Sequence, residues 1–447
     1  MRKITIFMLG LVLSSALHAQ YDNVDNETVS RKADSLLESY RFTSKFKGNT
    51  LIYREGKIIY EKSIGNSNDD FNIKNTPDTK FRIGSITKTF TAIAILKLVE
   101  GKKISLDDDI SKYYPSNGNL NGYSIKQLLN HTSGLPRDVI ELEENDHNLY
   151  TRDEIVNLIS SEKLESKPGE KFGYSNIGYY LLGDIIQLAS GKSYFDYLNE
   201  VILTPLKLSN TVVDDPKMII SNRAVGYDDG PGKDGYAAEV VADFIYPIND
   251  LGNGALLSTT QDLLKLYFGL RDNIILPKNL KEEMFNPFEN NYGFGLQSVK
   301  GQEHMLMHNG NISGFSSSFL FYPGLDVFVV VLCNTNNVDA SSVSIAMRNI
   351  TFGREYYSPK IRKEINIKFD DKIPGKYKNP YFQFELKLEH NKLFVQTPGD
   401  PWEELHPESS TLFFSKLHDF NIEFNDNSYK SGTLRFNDNQ VEFVAVD

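Results

Sequence analysis

The chain has a single cysteine and a single tryptophan in 447 residues. Cys333 alone forms neither an internal disulfide nor a thiolate metal site, and at the end of "VFVVVLC" it reads as a small buried hydrophobe. No apolar run reaches the roughly 20 residues that a membrane-spanning helix needs. The run at residues 4 to 17 follows Arg2 and Lys3 and ends in small residues, with Ala19 before Gln20. That is the pattern of a removable secretory leader over residues 1 to 19, and the lack of cysteine at the cleavage point argues against a lipid anchor. The mature protein is therefore expected to be periplasmic or secreted, with no membrane span.

Positive charge is also in short supply. Lysine and arginine number 48 against 59 acidic residues, and the formal net charge of −11 becomes −13 once Arg2 and Lys3 leave with the leader. An excess of that sign repels nucleic acid and anionic membranes. Zinc-type spacing of His, Cys and carboxylates is missing, as is a phosphate-cradling glycine loop. Asp107, Asp108 and Asp109 lack the ligand spacing of a calcium loop and read as a solvated turn. No metal or cofactor is expected.

What is present reads as strands, then helices, then strands and a helix. Residues 29 to 40 have helical apolar spacing, and residues 48 to 65 read as a hairpin turned by Glu55 and Gly56. An apolar helix is expected from Ser85 to a stop at Gly101. Helical patterns follow at 124 to 136, 176 to 191 and 254 to 270, the last capped by Ser258 or Thr259. Two apolar runs around a Pro-Gly turn at 316 to 334 read as a second hairpin, and residues 340 to 350 suit a helix. This order predicts an α+β or α/β domain of two or more layers. Beyond residues 358 to 374, short alternating runs separated by Asn, Asp, Gly and Pro predict a small all-β sandwich or barrel. The expected organisation is a leader at 1 to 19, a main domain at 20 to 358 and a β module at 359 to 447.

The chemistry-bearing pattern is "FRIGSITKTF". A serine hydroxyl is a weak nucleophile and needs a base held within hydrogen-bond reach. The spacing of three puts Lys88 on the helix face of Ser85, one turn deeper, where an apolar surround would desolvate the amine and favour its use as a base. A Ser85 backbone N–H at the helix start would face developing negative charge. The same spacing occurs at Ser44 and Ser160, but only Ser85 leads into a long apolar helix. Tyr-x-Asn occurs at Tyr21, Tyr174, Tyr197 and Tyr377. Tyr174 is distinct because it lies in a Pro/Gly-bounded loop before a helix that Asn176 can cap. His131 sits among turn formers in "NHTSGLP" and reads as structural.

Taken in order, Ser85-Ile-Thr-Lys88, Tyr174-Ser-Asn176 and His308-Asn-Gly310 resemble the penicillin-recognising serine hydrolases, in particular the class C β-lactamase-related branch of D-aminopeptidases, DD-peptidases and esterases. The stretches "SIKQLLNHTSGLP", "PGEKFGYSNIGYYLLGDI", "GNGALLSTTQDLLKL", "YGFGL" and "HNGNISGFSSSF" carry the likeness over approximately residues 30 to 350. The resemblance implies a β-lactamase/transpeptidase-like antiparallel sheet flanked by helices and a helical lobe. It also implies a lipocalin-like β module, with cover of the cleft as its expected role. Lys430-Ser431-Gly432 competes for the third motif, but no hairpin and closing helix follow it, whereas both follow His308.

Carried over, Ser85 is the acylated nucleophile, Lys88 the base or hydrogen-bond partner, and Tyr174 the group that protonates the leaving group and helps activate the deacylating water. Asn176 holds substrate or orients Lys88. His308 and Gly310 line the substrate, and the N–H groups of Ser85 and Asn311 form the oxyanion hole. A histidine where relatives carry lysine is largely neutral at pH 7 and grips a carboxylate less firmly. The implied activity is cleavage of a small peptide, amide or ester, by a D-amino-acid peptidase of the DD-carboxypeptidase or D-aminopeptidase type. A carboxylesterase, a weak β-lactamase and a wall- or β-lactam-binding protein without turnover stand as alternatives. Oligomeric state is not read from the sequence.

Overall fold

The structure is a computed structural model that describes residues 24 to 446 apart from 118, 140 to 147, 233 to 235, 247 to 248, 250, 302 and 437 to 438. The expected leader lies outside the described residues. Two compact units are present. One comprises residues 45 to 228 and 241 to 347; the other comprises residues up to 44, 229 to 240 and 348 onward.

The larger unit is built on a six-stranded antiparallel sheet in the order Gln297–Val299, Met305–Ile312, Phe315–Tyr322, Val327–Cys333, Gly48–Arg54 and Lys57–Ile64. Both expected hairpins form. Glu55 and Gly56 adopt φ of 48° and 84°, the left-handed pair that a two-residue hairpin turn requires. Strands Phe315–Tyr322 and Val327–Cys333 are buried along their whole length, which explains continuous apolar runs rather than alternation.

The helix Thr87–Glu100 is buried on nearly every side, from Thr87 to Leu96 and at Leu98. A helix apolar all round belongs in a core rather than at its surface. It packs against the helix Asn176–Ser190. Residues 254 to 270 depart from the single helix expected: Leu256–Ser258 is a strand and the helix is Thr260–Arg271, capped by Thr259. Pairing with Phe81–Arg82 takes the first residues into a sheet. Likewise only Ile125–Leu129 of the 124 to 136 stretch is α-helical, opened by a Ser124/Gln127 capping box.

The smaller unit contains the helix Asn26–Ser44 and a closed antiparallel barrel of eight strands, Gly375–Lys378 to Asn439–Ala445. Each strand pairs with the next, and Tyr377 pairs with Ala445 to close the ring, so no sheet edge is left open. Tyr377, Phe384, Leu393, Phe413, Phe424 and Phe443 fill the core. Among the described residues no helix is long and apolar enough to cross a membrane.

Candidate active site

Ser85 lies in a 3-10 turn, Gly84–Ile86, and the α-helix begins only at Thr87. The helix was expected from Ser85; Gly84 at φ +48° keeps the chain out of α geometry until after the serine. Two glycines let the strand Met305–Ile312 approach this turn. A Cβ on Gly310 would lie 1.9 Å from the Ile83 carbonyl oxygen, and one on Gly84 would lie 3.0 Å from the Asn311 amide nitrogen. The backbone amide of Asn311 is thereby brought beside the Ser85 turn. Ser317 Oγ lies 2.9 Å from Ile83 O and 3.1 Å from Gly310 O, so its one O–H has an acceptor on the turn and another on the strand.

Lys88, in the first helical turn, is fully buried. Its Nζ donates to Ser85 Oγ at 3.0 Å, to Asn176 Oδ1 at 2.7 Å and to the Asn253 carbonyl at 3.2 Å. Three acceptors match the three N–H groups of an ammonium. The same Nζ lies 4.9 Å from the centre of the Tyr174 ring. Tyr174 is half-buried as a residue, but its phenol is withdrawn from water; this desolvation raises its pKa far above an ordinary tyrosine, opposed by a hydrogen bond with Ser85 and by Arg137. Ser85, Lys88, Tyr174 and Asn176 are thus brought together.

Asn176 was expected to cap its helix. The structure assigns the cap to Ser175, whose Oγ accepts from Gly178 N at 3.0 Å. Relieved of capping, the Asn176 side chain points its oxygen at Lys88 and donates from Nδ2 to Asp138 Oδ1 at 2.7 Å. A carboxylate only accepts, so Asp138 fixes which end of the amide faces Lys88. Asp138 in turn pairs with Arg137 at 3.1 Å.

His308 is buried, with both ring nitrogens engaged. Its Nδ1 lies 2.7 Å from the Asn309 carbonyl, which can only accept, so Nδ1 carries the proton. Nε2 is then left to accept from the Tyr292 hydroxyl at 2.9 Å. Burial, with Lys88 nearby, lowers the His308 pKa to about 3, the Asn309 bond opposing. This is a neutral imidazole at physiological pH.

Sequence reasoning missed Asp138, Asn253 and Tyr292. Asp138 acts across a long stretch of chain, and no local pattern marks it; Asn253 sits in "GNGALLSTTQDLLKL", whose likeness was visible without a role attached. Tyr292 opens "YGFGL", a stretch whose likeness was visible without a role attached. Of the other Ser-x-x-Lys serines, Ser44 ends the helix Asn26–Ser44 and the Ser160 hydroxyl donates to Asn157 O. Ser431 and Gly432 open a barrel strand, Ser431–Phe436. Asp109 caps a short 3-10 turn and Cys333 is buried.

A family model described as Beta-lactamase matches residues 37 to 351. "Protein flp" of Staphylococcus aureus (strain N315) is 32% identical over 301 residues, which are 64% of this chain and 59% of the relative. The chain thus spans less than two thirds of the length of that curated relative. Among solved structures, the octameric penicillin-binding protein homologue from Pyrococcus abyssi superposes with a TM-score of 0.65 at 25% identity, covering 92% of this chain and 99% of that one. The D-amino acid amidase from Ochrobactrum anthropi SV3, complexed with D-phenylalanine, superposes with a TM-score of 0.60 at 25% identity, covering 69% of this chain and 91% of that one.

Proposed function

The chain belongs to the beta-lactamase family of serine hydrolases, and from that premise we propose that it hydrolyses small D-amino-acid amides or peptides through an acyl-enzyme on Ser85. The observation that carries this reading is the Lys88 amine, buried and 3.0 Å from Ser85 Oγ.

In this mechanism Ser85 Oγ attacks the substrate carbonyl while its proton leaves for the Tyr174–Lys88 pair. A neutral phenol suits a relay: it takes the Ser85 proton as it hands its own to the departing amine, so no free tyrosinate has to form. Lys88 holds Oγ in place and offsets the negative charge that grows there. The oxyanion faces the N–H groups of Ser85 and Asn311. The amine leaves, an ester to Ser85 remains, and water attacks it while its proton passes to the Tyr174 phenol and the phenol's own proton returns to Ser85 Oγ, releasing the acid.

His308 narrows the substrate class. With Nδ1 donating to Asn309 and Nε2 accepting from Tyr292, it offers no cation to a terminal carboxylate. This favours amides and free-N-terminus peptides over DD-carboxypeptidase substrates and β-lactams, in line with the similarity to a D-amino acid amidase. The same feature keeps a carboxylesterase as the second reading. We further infer export directed by residues 1 to 19, with the hydrolase in residues 20 to 358 and a separate module in residues 359 to 447.

A panel of D-phenylalanine amide, a D-Ala-D-Ala peptide, nitrocefin and p-nitrophenyl acetate tests the reading. Fastest turnover of the amide is expected. Ester cleavage with the amide ignored would move the assignment to carboxylesterase, and fastest turnover of the D-Ala-D-Ala peptide would overturn the argument from His308.

A further inference from the structure

His131 occupies a position built for glycine. The helix Ile125–Leu129 ends with Asn130, and the next two amides return to it: His131 N donates to Leu128 O at 3.3 Å and Thr132 N to Gln127 O at 2.8 Å. This is a Schellman ending, whose residue after the cap is usually glycine because it must be left-handed. His131 holds φ of 59° there and is 1% exposed. A non-glycine residue kept in such a backbone state calls for a reason in its side chain.

The reason lies in the Tyr174 loop. The His131 carbonyl accepts from Gly173 N at 2.8 Å, and its Nδ1 accepts from Ser175 N at 3.1 Å. One residue therefore fixes the amides on either side of Tyr174. Its ring also lies 4.3 Å, centre to centre, from the Tyr174 ring, and 5.0 and 4.7 Å from those of Tyr179 and Tyr292. Nδ1 accepts only while it carries no proton, so the neutral ring has its proton on Nε2. Burial and the nearby Lys88 keep the imidazole in that neutral form.

We propose that His131 is the positioning residue for Tyr174, clamping the loop through its carbonyl and Nδ1 and bracing the phenol ring so that its hydroxyl stays on Ser85. The proposal rests on the reading of Tyr174 as the proton carrier to the leaving group. Misplacement of about 1 Å at such a group can cost roughly 100-fold in rate. The loss should depend on the leaving group: p-nitroaniline needs a proton to depart and p-nitrophenolate does not.

The test compares D-phenylalanine p-nitroanilide with p-nitrophenyl acetate. His131→Gly preserves the helix ending, because glycine is at home there, and removes only the side chain. It should lower kcat on the anilide about 100-fold with KM within about threefold, and lower ester turnover by less than about 10-fold. His131→Asn tolerates the left-handed backbone and restores an acceptor near Nδ1, so it should recover at least about 10-fold of the anilide loss. In a Tyr174→Phe background, His131→Gly should cost no more than about twofold further. Equal losses on both substrates, or a full additional loss without the phenol, would overturn the proposal. A crystal structure of His131→Gly decides the matter independently of turnover: a Tyr174 ring displaced by about 1 Å or more supports the clamp, and a ring in place refutes it. If the wild-type protein cleaves neither substrate, the function reading fails while the crystallographic arm still decides the clamp.

Discussion

In the hydrolase unit His131 and His308 are buried against aromatic rings and near the Lys88 cation, whereas in the barrel unit His418 lies between two carboxylates, 2.9 Å from Glu403 and 3.6 Å from Asp229. Burial alone disfavours the imidazolium, and the first pair is neutral with pKa values pushed down. At His418 burial acts in the same direction, but the bonds to Asp229 and Glu403 outweigh it and raise the pKa to about 10. The same side chain is thus an acceptor in one unit and a cation in the other. The contrast extends to the interiors. The hydrolase core encloses Lys88, His131 and Asn253 beside its apolar residues, while the barrel core is filled by aromatic and aliphatic side chains. Buried polar groups cost free energy unless partnered, and Lys88, His131 and Asn253 each sit on hydrogen-bond partners within the hydrolase unit.

The comparison breaks first at the lysines. Lys88→Met should reduce kcat/KM by about 1,000-fold or more, since it removes the partner of the nucleophile, while Lys430→Met in the barrel should leave it within about twofold. Steady-state kinetics on a p-nitroanilide checks both, and equal effects would end the distinction. Phe443→Ala should destabilise the barrel by about 3–5 kcal/mol through the cavity it leaves; a barrel unfolding midpoint within error of wild type would show that its core is not packed as described.

Much of this architecture was legible in the sequence. Both hairpins of the hydrolase sheet announced themselves through left-handed turn residues or a Pro-Gly turn flanked by apolar runs. The apolar stretch after Ser85 marked the central helix. The 3-10 start of that helix was hidden, because it depends on how close Gly84 comes to Asn311. Two barrel strands, Gly375–Lys378 and Glu403–Pro407, carry no clear alternation, and closure depends on Tyr377 meeting Ala445 at the far end of the module. In the site, the motif residues could be picked out one by one. Asp138 could not, because its role exists only once Asn176 leaves the cap to Ser175.

Asp138 therefore supplies a sharper test at intermediate size. Asp138→Ala should lower kcat about 10-fold with little change in KM, by freeing the Asn176 amide to turn; kinetics with unchanged kcat would remove Asp138 from the account.

The smallest effects concern pH and run in opposite directions. His131 and His308 have folded pKa values below the unfolded value near 6.5. Their contribution to stability is present above that value and falls as pH drops towards 3, because the unfolded chain binds the extra protons. The contribution of His418 is present below about 6.5 and fades as pH rises through about 10. Its side chain is 31% exposed, so solvent screening keeps that contribution modest. Hydrogen exchange resolved by unit should show the hydrolase core losing protection as pH falls from about 6.5 to 4.5 and the barrel near His418 losing it as pH rises from about 6.5 to 10. Parallel behaviour in the two units would erase the contrast.

The central claim is that Ser85 is the nucleophile activated beside Lys88. Intact-mass analysis after incubation with a fluorophosphonate probe addresses it directly: one adduct on the wild-type protein, mapped to the peptide containing Ser85, none on Ser85→Ala, and strongly slowed labelling of Lys88→Met. An adduct of equal yield on Ser85→Ala, or none on the wild-type protein, would contradict it.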